Sequence, residues 1–377
     1  MDHGVEARFK RLMLKHASPV GDPPKLDAAH AARLLERTAN VPFFAHSYSF
    51  YRSMEHGFAP RDLMDFVYIH DLHGACLHLN DGGDTSVGKM SGKDREIFRR
   101  QIEDLGLALH LEISSTERRE IDRAIDCALA LGVTNIRLYA RHQGTLAEVM
   151  ESVYADLAYA CERANKLDLR FDYEQHEDLK AAEIAAILQR LGDRHMNALF
   201  DYSNSLNAYE EPLAALHILA PYIRQVHIKG ARKTIEGNGW GQIGVPQGCD
   251  EDELPGARML HDLLMLGDGK PQVICFALEQ EVDYYAPAFR LKDEPRQPVI
   301  RYREPSETPQ DRSKSTERLI ADERRWAVQQ LNWNRALIAT FRELSLQVTP
   351  EKRDRDLPSV VNLPETSYAM KNVTRVP

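Results

Sequence analysis

Four side chains of the types that bind metal ions stand near the ends of successive predicted strands: Glu174, Asp201, His227 and Glu279. The first two intervals between them are close to the roughly 30 residues of one βα unit, and a glycine-rich loop lengthens the third. Three carboxylates and one imidazole in one cavity would repel one another and be costly to desolvate without a cation among them. The sequence therefore predicts one divalent metal ion, with Mn²⁺ favoured and Mg²⁺, Co²⁺ or Zn²⁺ as alternatives.

Eight predicted strands position these ligands. Between residues 41 and 281, short stretches that alternate apolar and polar residues take turns with longer amphipathic stretches, which is typical of βαβ units and a parallel sheet. The strands are predicted at residues 41–50, 74–80, 107–112, 135–141, 167–174, 196–204, 223–229 and 271–279. Eight such units predict an α/β fold of the (β/α)₈ TIM-barrel class.

The rest of the chain is assigned around this barrel. Residues 1–40 are predicted to form an N-terminal helical extension, and residues 41–345 the barrel itself. The barrel carries a glycine-rich loop insertion at 231–255 and a charged, proline-bearing loop at 282–316. Residues 346–377 show no periodicity and are assigned to a C-terminal tail. The predicted fold is therefore a barrel with an N-terminal helical extension and a long C-terminal extension.

The alternation within each strand predicts which side chains face the barrel interior, because one side of a barrel strand must pack on the helices. In the fifth strand, Asp172 and Glu174 belong to the inward side and Phe171 and Tyr173 to the outward side. Low on their strands, Asp172 and Arg137 are interpreted as part of an architectural charge network within the barrel.

Six further side chains lie at strand ends or in the loops that follow. They are predicted to bind substrate through hydroxyl groups or, for the arginine, through an anionic group. These residues are His46, His78, Asn80, His142, His176 and Arg232.

Composition limits the protein's partners and location. The formal net charge of −9 gives no basic surface for nucleic acid, so no nucleic-acid partner is expected. The five cysteines have no C-x-x-C pair, which argues against a disulfide framework and a thiolate zinc site. No apolar run approaches the about 20 residues that a membrane span needs, and no signal-peptide pattern opens the chain. We expect a cytoplasmic homo-oligomer, a dimer or tetramer, with no membrane partner.

The strand-end segments YEQHEDL, ALFDYSN, VHIKG and FALEQE resemble those of the xylose isomerase-like TIM-barrel superfamily of sugar isomerases, epimerases and dehydratases. The resemblance covers residues 41 to 281. It implies metal binding by the glutamate of E-x-H, the aspartate of D-x-x-N, the histidine of H-x-K and a glutamate of the last strand. These positions are Glu174, Asp201, His227 and Glu279. The chain departs from the pattern at Gly230, where many relatives have an acidic residue, and in DYSN, where DTGN is common.

Together, the ligands and the resemblance predict proton-transfer chemistry on a sugar or polyol carbonyl compound. A metal ion that chelates a carbonyl and its neighbouring hydroxyl would acidify the intervening C–H and stabilise an enediolate. Glu174 and Glu279 are the predicted catalytic residues, one removing the proton and the other returning it. We favour an isomerase or epimerase.

Other functions remain as alternatives. The first is a metal-dependent lyase or dehydratase acting on a keto-sugar, keto-glycoside or inosose, because the same ligands would serve it. The second is a non-catalytic metal- or sugar-binding subunit. A glycosidase is disfavoured because the fourth and seventh strand ends offer Arg141 with His142, and His227, rather than carboxylates. The acidic composition disfavours an endonuclease.

Overall fold

Eight parallel strands close into a barrel in the computed structural model, which describes residues 3–14, 20–302 and 314–349. Each strand pairs with its sequence neighbours, and the first also pairs with the last, so the ring has no open edge. The strands are β1 (Phe43–His46), β2 (Gly74–His78), β3 (Ala108–Ile113), β4 (Asn135–Leu138), β5 (Arg170–Glu174), β6 (Met196–Asp201), β7 (Ile223–Ile228) and β8 (Cys275–Leu278). The predicted TIM barrel is confirmed. Seven of its eight strands lie within the predicted ranges, and β3 extends one residue beyond its range, to Ile113.

Helices enclose the barrel, and several of them begin and end at residues that favour helix termini. Thr145 and Glu148 form a reciprocal capping box at the start of the longest central helix, and Gly132 ends the preceding helix in the left-handed conformation. The helices are α1 (His3–Met13), α2 (Ala28–Arg37), α3 (Tyr51–Glu55), α4 (Pro60–Ile69), α5 (Gly92–Asp104), α6 (Arg118–Leu131), α7 (Leu146–Leu167), α8 (Ala181–Leu191), α9 (Asn204–Asn207), α10 (Pro212–Leu219), α11 (Gly256–Leu264) and α12 (Thr316–Val348).

Packing follows the predicted strand alternation. Outward side chains such as Phe171 and Tyr173 join one large apolar core between the strands and the helices. Inward side chains form a separate small cluster inside the barrel, composed of Phe44, Cys76, Cys275 and Ala277. Polar inward side chains lie beside this cluster, where Gln225 is hydrogen-bonded to both His110 and Asp172. The inward side chains at the carboxyl ends of the strands are polar and form the site.

Helix α12 packs against α2 and α3 and reaches the site through its buried face. Gln330 donates a hydrogen bond to the carbonyl of Ile228, and Asn334 donates one to the side chain of Gln247. The predicted tail lies outside the described residues from residue 350 onward. Among the described helices, none combines the length and apolar character that a membrane crossing requires.

A three-stranded antiparallel sheet, here called the mouth sheet, lies beyond the carboxyl ends of β7 and β8. It consists of Ala231–Glu236, Gly239–Gly244 and Tyr285–Ala286. Gly230 lets this sheet approach the barrel, because a Cβ there would lie 2.5 Å from the Cα of Gln247. The departure from the acidic residue of many relatives therefore has a steric reason. A second, two-stranded pairing joins Gly144–Thr145 to Val299–Ile300.

Candidate metal centre

The four predicted metal ligands converge at the carboxyl ends of β5 to β8. Nδ1 of His227 lies 3.1 Å from Oε2 of Glu279, 3.5 Å from Oε1 of Glu174 and 3.9 Å from Oδ2 of Asp201. All four side chains are almost completely buried. The barrel ring thus brings residues that are distant in sequence around one point, as the strand phase predicts.

His227 is oriented by a carboxylate that the sequence analysis did not single out. Its Nε2 lies 3.1 Å from Oε1 of Glu112, and the other oxygen of Glu112 accepts a hydrogen bond of 2.9 Å from Nε2 of His46. With Nε2–H donating to Glu112, Nδ1 of His227 is the nitrogen with a free lone pair. Histidine ligands of metal ions are commonly held in this way by a carboxylate on the far nitrogen. The signal for Glu112 was its position at the end of β3, two residues beyond the interior-facing His110.

Asp201 has one oxygen committed to the backbone and one facing the other ligands. Oδ1 accepts hydrogen bonds from the backbone N–H groups of Ser203 and Asn204, at 2.9 and 3.0 Å. Oδ2 therefore points toward His227. The DYSN segment fixes the aspartate through its own turn, and the side chain of Asn204 reaches Oε1 of Glu174 at 3.3 Å.

Two permanent cations, Arg137 and Lys229, lie among the carboxylates. Nε of Arg137 is 2.6 Å from Oε2 of Glu174. Nζ of Lys229 is 2.9 Å from Oδ2 of Asp201 and Oε2 of Glu279, and 3.0 Å from Oε1 of Glu281. The interpretation of Arg137 as architecture low in the barrel was wrong, because its side chain reaches the ligands and lines the cavity.

We call this assembly the inner cluster. Its members are Glu112, Arg137, Glu174, Asp201, His227, Lys229, Glu279 and Glu281.

Electrostatics divide the acidic groups of the inner cluster. Burial opposes ionisation of Glu174, but Arg137 and His227 outweigh it and bring its pKa to about 2. Burial likewise opposes ionisation of Glu279, yet His227 and Lys229 hold its pKa well below the usual range. For Asp201, burial raises the pKa, and Lys229 offsets this only in part. Asp201 is thus the ligand whose charge the protein's own cations compensate least.

The donor set fits a divalent ion. Each predicted ligand has a buried atom that forms no hydrogen bond of good geometry within the described part of the chain: Oε2 of Glu174, Oδ2 of Asp201, Nδ1 of His227 and Oε2 of Glu279. The three oxygens are held by ion pairs with Arg137 or Lys229. Ligand atoms of the first three lie within 4.8 Å of one another. Burial opposes protonation of His227, but Glu279 and Glu112 raise its pKa well above the usual range, so a divalent ion would take the place of the proton on Nδ1. Oxygen-rich ligation with one imidazole suits Mn²⁺, Mg²⁺, Co²⁺ or Zn²⁺.

A second group of metal-ligand residues, His46, Glu112 and His227, fits an ion less well. Both oxygens of Glu112 face imidazole N–H groups. Nδ1 of His46 accepts the backbone N–H of Tyr48 at 3.0 Å. Because these lone pairs are already used, the group serves to orient His227.

The inner cluster adjoins a cavity of about 390 Å³, and all its members except Asp201 and His227 line this cavity and form its floor. Three of the six predicted substrate-binding residues line it: His46, His78 and His176. His176 is stacked on the ring of Tyr139, with ring centroids 3.8 Å apart, and burial lowers its pKa to about 3. It is therefore a neutral imidazole in the cavity wall.

The other three predicted substrate-binding residues are not among the cavity-lining side chains. Asn80 accepts a hydrogen bond from Arg123, and His142 pairs with Asp156 at 2.7 Å. Arg232 begins the mouth sheet and its Nη1 lies 2.9 Å from Oε2 of Glu251. Their predicted contact with substrate finds no support in these positions, because each side chain is directed to a partner away from the inner cluster.

The cavity also has an aromatic roof that the sequence analysis did not identify. We call residues 282–302 the roof segment. It contributes Tyr284, Tyr285, Phe289 and Tyr302 to the cavity lining. Two of these tyrosines contact acids that follow β5: Tyr284 donates to Glu177 at 2.6 Å, and the hydroxyl of Tyr302 is 2.9 Å from Asp178. Burial raises the pKa of Glu177 to about 7, although its bond from Tyr284 counteracts this.

Comparison with known proteins agrees with the fold. The model of the family described as xylose isomerase-like TIM barrel matches residues 70–276. The uncharacterized protein YihM of Escherichia coli (strain K12) is 36% identical over 315 residues, which cover 83% of this chain and 96% of that protein.

Solved structures show the same barrel at low sequence identity. A D-psicose 3-epimerase crystallised in the presence of D-fructose is 12% identical, with a TM-score of 0.52, over 79% of this chain and 99% of its own. The IOLI protein, solved with a binding zinc atom, is 10% identical, with a TM-score of 0.50, over 82% of this chain and 99% of its own. At these identities the likeness establishes the fold.

Proposed function

Because the chain belongs to the xylose isomerase-like TIM barrel family, we propose that it is a divalent-metal-dependent isomerase or epimerase acting on a sugar or polyol carbonyl compound. The observation that carries the proposal is the convergence of Glu174, Asp201 and Glu279 on Nδ1 of His227, at the floor of a cavity large enough for a small-molecule substrate. These four residues are the proposed metal ligands.

The bound ion would supply electrostatic stabilisation of the enediolate that forms when a proton leaves the carbon between a carbonyl and a hydroxyl. The chain's own residues move that proton. Glu174 and Glu279 lie on β5 and β8 and are both ionised, so either can accept a proton at a carboxylate oxygen. We assign removal of the proton to one and its return to the other.

Neighbouring groups keep these two acids in position. Arg137 holds Oε2 of Glu174, while Asn204 contacts its other oxygen. Nζ of Lys229 lies 2.9 Å from Oε2 of Glu279. Such fixed partners limit the rotation of each carboxylate and so favour one approach to the substrate. His46, His78 and His176 are the proposed contacts for substrate hydroxyl groups.

One observation favours the lyase alternative. Glu177 and Tyr284 form a hydrogen-bonded pair in the cavity wall, separate from the metal ligands. Burial raises the pKa of Glu177 to about 7, so it can hold a proton near neutral pH. An acid in this position would protonate a departing β-hydroxyl group, which is the extra step that a dehydratase requires.

A solvent-exchange experiment tests the proposal. The purified chain, incubated with Mn²⁺ and a panel of ketoses and keto-glycosides in D₂O, is followed by NMR. We expect deuterium to enter the substrate at the carbon next to the carbonyl, with an epimer, an isomer or a dehydrated product accumulating. Loss of exchange after chelation, restored by Mn²⁺, would support the metal's role. Stoichiometric metal without exchange on any member of the panel would instead support a non-catalytic binding subunit.

A further inference from the structure

Arg141 stands at the cavity wall without an ion-pair partner. Its Nη2 donates to the hydroxyl of Tyr139 at 2.6 Å, and its side chain lines the cavity while remaining exposed. Across residues 3–14, 20–302 and 314–349, no carboxylate forms an ion pair with it. By contrast, Arg137 and Lys229 are both paired with carboxylates, as is the mouth-sheet residue Arg232.

Aromatic rings hold the guanidinium of Arg141 in place. Its Cζ lies 4.9 Å from the ring centroid of Tyr139 and 5.5 Å from that of Tyr302. Tyr139 is itself stacked on His176, and Tyr302 packs edge-on against Phe289 at 5.0 Å between centroids. A guanidinium that is held between rings loses little conformational entropy when it binds an anion, and its planar fork matches a carboxylate.

The position of Arg141 relative to the floor sets where an anionic group would sit on the substrate. Both arginines lie close to the ring of Tyr139, with the Cζ of Arg137 4.8 Å and that of Arg141 4.9 Å from its centroid. Arg137 in turn pairs with Glu174. The Cζ atoms of Arg137 and Arg141 are therefore less than about 10 Å apart, a span that a sugar with an acid group at its far end can bridge.

We propose that the substrate is an acidic sugar whose carboxylate binds to Arg141 while its carbonyl end lies at the inner cluster. The placement of the carbonyl end rests on the proposed function, whereas the binding of the carboxylate to Arg141 does not. A singly charged group is favoured over a phosphate because the one unpaired arginine of the cavity lining balances one negative charge, and the lining also includes the carboxylate of Asp81. A dianion would meet more repulsion there than one guanidinium offsets.

Three ketoses that differ at one carbon test the proposal: D-fructose, D-fructuronate and D-fructose 6-phosphate. Their dissociation constants are measured by titration calorimetry with the full chain, with and without added Mn²⁺. We expect fructuronate to bind about tenfold to a hundredfold more tightly than fructose, the range of a charged hydrogen-bonded pair. Equal binding of the two, or tighter binding of the phosphate, would overturn the assignment.

Variants of the chain identify which residue is responsible for the preference for fructuronate over fructose. Arg141→Gln should abolish the difference between fructuronate and fructose, and Arg141→Lys should retain part of it, since the charge remains without the fork. Arg118→Gln is the matched control, because Arg118 also stacks on a tyrosine but lies on α6 outside the cavity lining. A preference that survives Arg141→Gln, or that Arg232→Gln removes instead, would contradict the proposal.

Binding is measured independently of turnover, so the two proposals fail separately. Fructuronate preference without any deuterium exchange would overturn the proposed reaction and leave the anion site standing. Exchange on fructose that is as efficient as on fructuronate would overturn the anion site and leave the reaction standing.

Discussion

The floor and the roof of the cavity are built in different ways. Every member of the inner cluster lies at or just beyond the carboxyl end of a barrel strand, where neighbouring strands fix its position. The roof segment carries only two two-residue strands and is held instead by its side chains and by Asn207. We propose that the two regions have different roles: the floor carries the reacting groups, and the roof contributes to the choice of substrate.

The anchors of the roof segment support this division. Arg290 donates two hydrogen bonds to Glu183 at the start of α8, at 2.7 and 2.9 Å, and two more to Glu294, both at 2.8 Å. The backbone N–H groups of Phe289 and Arg290 both donate to the carbonyl of Asn207. These contacts attach the roof to α8 and α9 without touching the proposed metal ligands.

The largest effect is expected on the floor. Glu174→Gln and Glu279→Gln should each lower turnover by about a thousandfold or more, because each removes a proton-transfer group and a metal ligand. Steady-state rates and NMR exchange measure the loss. Glu96→Gln, on the exposed face of α5, is the control and should leave the rate unchanged. Turnover within a few-fold of the wild type in either floor variant would end the assignment of roles.

A roof variant should affect binding and stability more than chemistry. Arg290→Met leaves Glu183 partly buried without its cation, while Glu294 keeps Lys180, and this should cost about 1–3 kcal/mol in the free energy of unfolding. We expect KM to rise while kcat falls much less. Urea unfolding and steady-state kinetics measure both, with Arg61→Met as the exposed control. A loss of bound metal in Arg290→Met would show that the roof segment is needed for the metal site, and it would contradict the separate roles of floor and roof.

Gly230 tests the junction between the two regions. Gly230→Asp introduces a Cβ 2.5 Å from the Cα of Gln247, so the mouth sheet must move away from β7. The strain should cost about 1–3 kcal/mol and raise KM. Gly92→Ala is the matched control, since a Cβ there meets nothing within 4 Å. Unchanged thermal stability and KM in Gly230→Asp would show that the close approach is not needed.

The smallest expected effect is on stability, and it comes from a histidine far from both the floor and the roof of the cavity. Nε2 of His30 lies 2.8 Å from Nε2 of His261, and burial together with that imidazole lowers the pKa of His30 to about 4. The folded state therefore favours the neutral form, and this stability is present above pH 6.5 and is lost as the pH falls toward 4. We expect His30 to contribute about 1–2 kcal/mol to the free energy of unfolding. The contribution is this small because the imidazole is only half buried, so solvent screens it.

Unfolding by urea at several pH values checks this expectation. His30→Gln should flatten the pH dependence between 6.5 and 4, whereas His56→Gln, at an exposed site, should not. An unchanged slope in His30→Gln would assign the acid sensitivity to other groups. Because His30 lies on α2, catalytic constants at pH 7 should stay at wild-type values in this variant.

The sequence alone predicts the floor well because strand geometry repeats. A period of two fixes which side chains face inward, and the closed ring brings successive strand ends together, so Glu174, Asp201, His227 and Glu279 could be grouped before any coordinates. Glu112 escaped notice because its role depends on hydrogen bonds across the barrel to His46 and His227.

The parts of the cavity wall that lie outside the barrel strands could not be predicted in the same way. No periodic rule states where a loop side chain will point, so Arg232 was expected near substrate but pairs with Glu251 in the mouth sheet. Arg141 was passed over although it follows β4, since its significance comes from Tyr139 and Tyr302, and the latter lies far along the chain. Sequence patterns predict contacts within repeated elements better than contacts made by irregular segments.

Metal content by mass spectrometry tests the central claim most directly. We expect close to one equivalent of Mn²⁺, Mg²⁺, Co²⁺ or Zn²⁺ per wild-type chain after loading and desalting, and almost none in His227→Ala that remains folded by circular dichroism. The rival arrangement is that Lys229, already 2.9 Å from Asp201 and Glu279, neutralises the carboxylates by itself. A folded wild-type chain that retains none of these ions, and gains one only in Lys229→Met, would contradict the account.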